Sequence, residues 1–386
     1  MRDATSEVLS REETSAPTLQ QAERYTKTET ETESETAAET EALPAEPEKR
    51  ISLTAAGGVI VDSAIIADAA ARAPEGKQYS FLTMYSGIFP LVQDADMALV
   101  TLNTPAANEE TFGLSTETFT NMPVDSLTAL RDLGFDVINT AGTGRLVCTA
   151  AGLRSTVDNV RNTGVLQIGT YKDDIDAGDV RVLEANGIRV AYVAFTENAN
   201  SDTEGLILHD LTDAPAAAAI ITYADLVSDV VVVSVTWDNN TENSIREAQR
   251  TACQMLAEAG ADVIVGTDGM GLQTAEWLTA EDGSATLAVY SLGNLLATGT
   301  DAETVLSGLL TLDVVLGDEG ASLENVQILP LAKHHTAEGT EYQITELSKY
   351  PADMAASHAV EGLTVRALES VYTGTIPASF MPVAEE

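Results

Sequence analysis

The chain of 386 residues is poor in the residue types that most often build cross-linked or metal-binding sites. It has two cysteines, Cys148 and Cys253, and four histidines. Two cysteines do not make a disulfide framework, and their separation excludes a C-x-x-C metal knuckle or redox pair. Two buried free thiols are predicted, and a single disulfide is the alternative if the protein is exported.

Basic residues are also scarce. The chain has 20 Lys and Arg against 60 Asp and Glu, so its formal net charge is -40 at pH 7. A surface of this sign repels phosphate backbones and anionic headgroups, which argues against nucleic acid or an anionic membrane surface as a partner.

No apolar run near the N-terminus is long enough for a signal peptide or an anchor helix. Residues 1–50 are polar, and residues 26–49 are almost entirely Thr, Glu, Ser, Ala and Pro. Such a segment has too little apolar surface to offset the entropy lost on ordering, so a disordered acidic spacer is predicted. An acidic binding tail or a glycosylated stalk is the alternative interpretation.

From Ile51 onward, short apolar runs alternate with segments of helical spacing, which predicts an α/β fold with mixed sheets. Predicted strands cover residues 52–61, 97–102, 135–139, 166–168, 180–184, 188–195, 229–235, 262–265, 286–290, 305–316 and 322–329. Asn186-Gly187 predicts a tight hairpin turn. Residues beyond Lys349 predict a short helix at most.

Residues 230–273 form the most regular unit, a buried strand, a helix closed by Gly260 and a second buried strand. In open α/β sheets, sites lie beyond the carboxyl ends of the strands, which here are residues 236–240 and 267–270. The only acidic side chains in these two loops are Asp238 and Asp268.

Four segments resemble the CapA-like proteins of poly-γ-glutamate capsule synthesis, a branch of the calcineurin-like metallophosphoesterase superfamily. They are LTAAGGVIVDS, GFDVINTAGTGRLVCTAAGLRSTVDNVRNTGVLQIGTY, the stretch from VVVVSVTW to GADVIVGTDGMGLQ, and YSLGNLL. The resemblance implies a four-layer α-β-β-α sandwich with mixed sheets. It divides the chain into the spacer (1–50), a CapA-like domain (51–335) and a C-terminal extension (336–386).

The matching positions depart from the family's metal-ligand motifs. G-D-x-M corresponds to residues 57–60, N-L-E to 101–103, N-N-H to 142–144, H-W-G-x-E to 236–240 and G-x-H-x-H to 266–270. The former-site positions are Gly58, Asn103, Thr143, Gly144, Thr236, Trp237, Asn240, Asp268 and Met270. The family implies a divalent metal, but a hydrolytic site needs several His and carboxylate ligands, and here Asp268 alone is a weak candidate. No cofactor is therefore predicted.

Two functions follow from this pattern. The first is a pseudoenzyme of the cell envelope that uses the former metal cleft for binding or assembly. The second is an active hydrolase of phosphoester or γ-glutamyl bonds, with Asp62, Asp238 and Asp268 as acid or base. The resemblance implies capsule or poly-γ-glutamate synthesis machinery at the membrane as partner, and an extracytoplasmic location.

Three further expectations concern isolated residues. His334 and His335 follow Pro330 and are predicted to lie in a solvated loop. Ser291 in S-L-G-N is expected to shape a turn rather than act as a nucleophile. Arg145, Arg154 and Arg161 are the only basic residues near the predicted cleft, so binding to a polyanion such as poly-γ-glutamate should be weak and strongly salt-dependent.

Overall fold

Two β-sheets with helices on their outer faces make up the fold in this computed structural model. The structure describes residues 48–116, 120–197, 199, 203–237, 245–267, 271–318 and 320–382. The predicted spacer, apart from residues 48–50, lies outside this range. No helix within the described part of the chain is both long and apolar enough to cross a bilayer.

The strands agree closely with the apolar runs in the sequence. They are β1 (Lys49–Val59), β2 (Met97–Leu102), β3 (Val137–Asn139), β4 (Leu166–Ile168), β5 (Arg181–Ala185), β6 (Ile188–Thr196), β7 (Val230–Thr236), β8 (Val263–Thr267), β9 (Ala275–Thr279), β10 (Ala285–Val289), β11 (Asn294–Leu296), β12 (Leu306–Gly317), β13 (Gly320–His334) and β14 (Gln343–Glu346).

Helices connect most of these strands. They are α1 (Ser63–Ala71), α2 (Phe89–Gln93), α3 (Glu109–Phe112), α4 (Asp125–Leu133), α5 (Thr149–Asn162), α6 (Asp174–Gly178), α7 (Ala214–Val227), α8 (Glu247–Glu258), α9 (Ala302–Val305), α10 (Ala352–Ser357) and α11 (Val365–Thr375). Asp62 caps α1 by accepting the backbone N–H groups of Ala64 and Ile65, and Asp213 caps α7 by accepting that of Ala216.

The strands pair into two mixed sheets. The first has the order β14-β13-β12-β1-β2-β3-β4, with β11 paired to β1, and the second has the order β5-β6-β7-β8-β10-β9. The hairpin β5–β6 is antiparallel, and its turn residues Asn186 and Gly187 have φ of 48° and 72°. The turn predicted there is therefore confirmed.

Three buried clusters show four layers. The first combines inner-face residues of both sheets, such as Leu53 and Leu99 with Val190 and Val232, so the sheets face each other. A second joins the outer face of the first sheet to α1, α4 and α5, and a third joins the outer face of the second sheet to α7 and α8. The predicted α-β-β-α sandwich is confirmed.

The C-terminal segment is more structured than the sequence predicted. β14 extends the first sheet beside β13, and α10, α11 and a 3-10 turn follow it. Leu368, Tyr372 and Phe380 from this segment are buried in the core between the sheets. The prediction of a short helix at most was wrong, because these amphipathic turns gain their stability from packing rather than from local propensity.

Candidate functional site

The candidate site lies where the carboxyl ends of strands from both sheets meet. Because β7 and β8 are parallel neighbours, Thr236 and Thr267 lie directly opposite each other at their ends. Across the interface, the Asn139 side chain donates to Ser234 Oγ at 2.9 Å, and Thr101 Oγ1 lies 3.4 Å from the same oxygen. The sheets therefore meet through neutral polar groups.

Four of the former-site positions come together at the ends of β1 and β2. Asn103 donates through Nδ2 to Asn294 Oδ1 at 2.9 Å and accepts the backbone N–H of Thr143 at 3.1 Å. A Cβ added to Gly58 would lie 2.0 Å from Asn103 Nδ2, and one added to Gly144 would lie 2.1 Å from the Asn103 carbonyl oxygen. The Asn103 carboxamide thus fills the space that a side chain at position 58 would need.

Trp237 lies in the second half of the site, directly after β7. Its side chain is fully buried, and its Nε1–H donates to the Tyr290 carbonyl oxygen at 2.6 Å. A Cβ on Gly266 would lie 1.9 Å from that same oxygen and 2.4 Å from Trp237 Nε1. Glycine at position 266 is therefore required by the close approach of the indole and the Tyr290 backbone.

The segment from Tyr290 to Asn294 connects the two halves. Leu292 N–H donates to Gly266 O at 3.2 Å, and Gly58 N–H donates to Gly293 O at 3.0 Å. The Ser291 hydroxyl donates to Gly271 O and accepts Gly293 N–H, which confirms its predicted role in a turn. Asn294 was missing from the candidate residues, although the motif Y-S-L-G-N pointed to its neighbourhood.

Three candidate residues, Asn240, Asp268 and Met270, lie outside the described residues, as does Asp238. The structure does locate Thr236, which is buried at the end of β7. Within the described part of the chain, the hydroxyls of Thr236 and Thr267 have no hydrogen-bond partner. The six described candidate residues lie at the strand ends and beside the Y-S-L-G-N segment, and their assignment to a former metal cleft stays a prediction.

The described residues do not fit a divalent metal. The positions predicted to correspond to ligands carry no side chain at Gly58 and Gly144, and a carboxamide at Asn103 whose two ends already bind Asn294 and Thr143. Among the described residues, no group of three or more His, Cys, Asp or Glu side chains could hold a metal ion. A hydrolytic metal needs several such ligands and an open position for water.

Asp62, the described member of the proposed acid and base set, is engaged elsewhere. Its Oδ1 accepts the N–H groups of Ala64 and Ile65 at 3.0 and 2.9 Å, and its Oδ2 accepts a short hydrogen bond from the Thr298 hydroxyl. The carboxylate therefore caps helix α1 and also binds Thr298, which follows β11.

The histidine pair is buried, so its placement in a solvated loop was wrong. His334 and His335 are 2% and 4% exposed, because β13 continues past its predicted end and the C-terminal segment covers it. His358 lies against both, with ring centroids 5.5 and 4.6 Å away. Burial and the neighbouring imidazole of His335 lower the pKa of His358 to about 4, so His358 is a neutral part of the core.

The basic residues near the cleft are mostly engaged. Arg145 is 4% exposed and donates to Gly142 O at 3.0 Å. Arg161 binds Gln167 at 2.9 Å and Asp176 at 2.6 Å. Of these two residues, Arg161 is neutralised by a carboxylate, whereas Arg145 is buried against backbone carbonyl oxygens.

Two facing mixed sheets, with the Y-S-L-G-N segment linking their strand ends, make up a four-layer α-β-β-α sandwich. The chain belongs to the family described as "Bacterial capsule synthesis protein PGA_cap", whose model matches residues 52–298. The predicted family is therefore confirmed.

Individual relatives are more distant. The PGA biosynthesis protein CapA of Bacillus subtilis (strain 168) is 26% identical over 179 residues, which are 45% of this chain and 45% of that protein. The capsule biosynthesis protein CapA of Bacillus anthracis is 22% identical over 186 residues, covering 45% of this chain and 42% of that protein. Each match thus covers less than half of the relative's length.

Among solved structures, the calcineurin-like phosphoesterase YfkN from Bacillus subtilis aligns with a TM-score of 0.40 at 11% identity. The alignment covers 85% of this chain and 98% of that one.

Proposed function

We propose that this chain is a non-catalytic member of the capsule synthesis family, which uses the former metal cleft for binding or assembly. The observation that carries the proposal is the Asn103–Asn294 carboxamide pair packed over Gly58. Where the family's motifs have an Asp and a Glu, this chain has a glycine and an amide that are hydrogen-bonded into one closed unit.

The chemistry of hydrolysis explains why this pair matters. Attack on a phosphoester or an amide requires an activated water and stabilisation of developing negative charge, which a metal held by carboxylates and histidines supplies in one step. A carboxamide carries no charge and does not accept a proton near neutral pH. The alternative function, a rebuilt hydrolase, would depend on Asp238 and Asp268.

Metal content and hydrolysis separate these two functions. We expect purified protein to contain no stoichiometric Mn, Zn or Fe by plasma mass spectrometry, and no hydrolysis of p-nitrophenyl phosphate, bis-p-nitrophenyl phosphate or poly-γ-glutamate after incubation with Mn²⁺. An active metallophosphoesterase carried through the same purification is the positive control. Stoichiometric metal together with hydrolysis that Asp268→Ala abolishes would refute the proposal.

The partner is proposed from the family rather than from the geometry. Both curated relatives are named for capsule or PGA biosynthesis, which supports synthesis machinery at the membrane as the partner and the extracytoplasmic cell surface as the location. The net charge of -40 supports a role that does not require tight binding of the anionic polymer itself.

Binding to poly-γ-glutamate is expected to be weak and to weaken further at low ionic strength, because unscreened repulsion between two anions then extends over about 30 Å instead of about 8 Å. We expect at least roughly tenfold weaker binding at about 0.01 M than at about 0.15 M NaCl, with Ca²⁺ restoring it by bridging carboxylates. Sedimentation of labelled polymer with the protein measures both effects, and neutral dextran is the control. Tight binding at low salt without divalent cations would contradict this expectation.

A further inference from the structure

A second concave surface lies on the outer face of the first sheet, away from the strand ends that form the cleft. It is a groove of about 380 Å³, with β1, β12 and β13 as its floor and Pro90 and Leu91 of α2 and its C-cap Asp94 as one wall. This volume is within the range of small-molecule sites, about 300–1,000 Å³.

The register of the sheet places three polar side chains in one row across this floor. Thr54 lies opposite Thr311 in the β1–β12 pair, and Thr311 lies opposite Gln327 in the β12–β13 pair. Directly opposed residues of antiparallel strands point to the same face, and neighbouring strands are about 4.8 Å apart. The chain neighbours Leu53 and Ile328 are buried between the sheets, so the row faces outward into the groove.

These three side chains form no hydrogen bonds with other described residues. Thr54 is only 5% exposed, and its hydroxyl forms no hydrogen bond with any residue that the structure describes. Thr311 and Gln327 likewise have no side-chain partner in the described part of the chain. Thr311 and Gln327 are half-buried, and none of the three side chains is among the described buried polar atoms that lack a partner, so the row is open to a ligand that both donates and accepts hydrogen bonds.

A bulge between β12 and β13 shapes the rim of the groove. The β12–β13 register shifts between Thr311 and Asp313, and Asn325 in this bulge has a φ of 51°. Asn325 Nδ2 donates to Asp313 Oδ2 at 2.7 Å, and Arg50 forms an ion pair with the same carboxylate at 2.9 Å. Bulges re-aim side chains beside functional sites, and the ion pair leaves Asp94 as the rim carboxylate without a partner among described residues.

We propose that this groove binds a neutral saccharide. Two hydroxyls and a carboxamide in a row match the alternating donors and acceptors of sugar hydroxyls, and Asp94 accepts from two neighbouring O–H groups. Pro90 and Leu91 offer an apolar wall to the C–H faces of the ring. Among the described residues no Lys or Arg lines the groove, which disfavours anions, and the ion pair that neutralises Asp313 disfavours an ammonium group.

The proposal is tested with the full chain and a panel of neutral sugars, namely glucose, galactose, N-acetylglucosamine and their β-linked dimers. Saturation-transfer NMR and calorimetry should show binding of at least one member. Thr311→Val, which removes a hydroxyl at constant shape, and Gln327→Met should each weaken that binding roughly two- to tenfold, as expected for one hydrogen bond. Thr279→Val, a surface strand threonine on β9, is the matched control and should leave binding unchanged.

Thr54→Val keeps the test independent of folding. Because it removes a hydroxyl that forms no hydrogen bond within the described part of the chain, it should leave the thermal midpoint unchanged or raised while it weakens sugar binding. No binding by any panel member at millimolar concentration overturns the proposal, as does binding that Thr54→Val, Thr311→Val and Gln327→Met leave unchanged. Preferential binding of trilysine, lost in Asp94→Asn, would identify a cation site instead.

Discussion

Replacing Gly266 with alanine should lower the free energy of unfolding by about 3 kcal/mol or more. The added methyl would lie 1.9 Å from the Tyr290 carbonyl oxygen, a backbone atom that also accepts the Trp237 indole N–H. Neither group has room to move, because Trp237 is fully buried and Leu292, two residues along, donates to the Gly266 carbonyl oxygen. Urea unfolding followed by tryptophan fluorescence measures the loss.

The matched control for this substitution is Gly317→Ala at the end of β12. A Cβ at position 317 meets no atom within 4 Å, so this variant should unfold within about 0.5 kcal/mol of the natural chain. If Gly266→Ala were as stable as Gly317→Ala, the close approach of the indole, the Tyr290 carbonyl and β8 would be disproved.

The second large effect concerns the buried lysine of β13. Lys333 is 2% exposed, and its Nζ donates to the Asn294 and Leu306 carbonyl oxygens at 2.8 and 3.2 Å. It forms no ion pair with a carboxylate of the described residues. Burial lowers the pKa of Lys333 to about 7, against about 10.4 for a lysine in an unfolded chain.

The sign of the resulting pH dependence follows from proton uptake. Between pH 7 and about 10 the unfolded chain binds the proton and the folded chain does not, so this lysine makes stability rise with pH. We expect the free energy of unfolding of the natural chain to rise by about 1.4 kcal/mol per pH unit relative to Lys333→Met in this window. Below pH 7 the difference between the two proteins should be constant.

Taking the difference between two proteins removes the contributions of tyrosine and cysteine titration, which both share. Lys77→Met, a substitution of an exposed lysine, is the control and should show no such difference. Parallel stability curves of the natural chain and Lys333→Met from pH 7 to 10 would show that Lys333 stays charged in the folded state.

Much of the fold was predictable because its signals are local. The apolar runs of β2 and β4 and the Asn186-Gly187 turn depend only on residues within a few positions of each other, and the structure places them as predicted. Short elements were missed where no such signal exists. β14 has four residues, and β11 has three that gain their stability by pairing with β1.

The candidate site was predictable in part. Family motifs located Gly58, Asn103 and Trp237, but they did not reveal that Asn103 turns toward Asn294, 191 residues later in the chain. His334 and His335 were misplaced for a related reason. Their burial depends on His358, Tyr350 and the C-terminal helices. The local sequence pattern near Pro330 does not predict that this distant segment covers them.

The sequence by itself determined the order of the longer strands and helices, the family, and the presence of a glycine, an amide and a glycine at positions 58, 103 and 144. Only the tertiary structure decided that Gly58, Asn103 and Asn294 form a closed, hydrogen-bonded cluster, that Lys333 is buried with no counter-charge among the described residues, and that Thr54, Thr311 and Gln327 form one row. The physical reason is the separation along the chain of the residues that are in contact. Periodicity reports contacts two to four residues apart, whereas burial and register arise between segments that the fold brings together from distant parts of the chain.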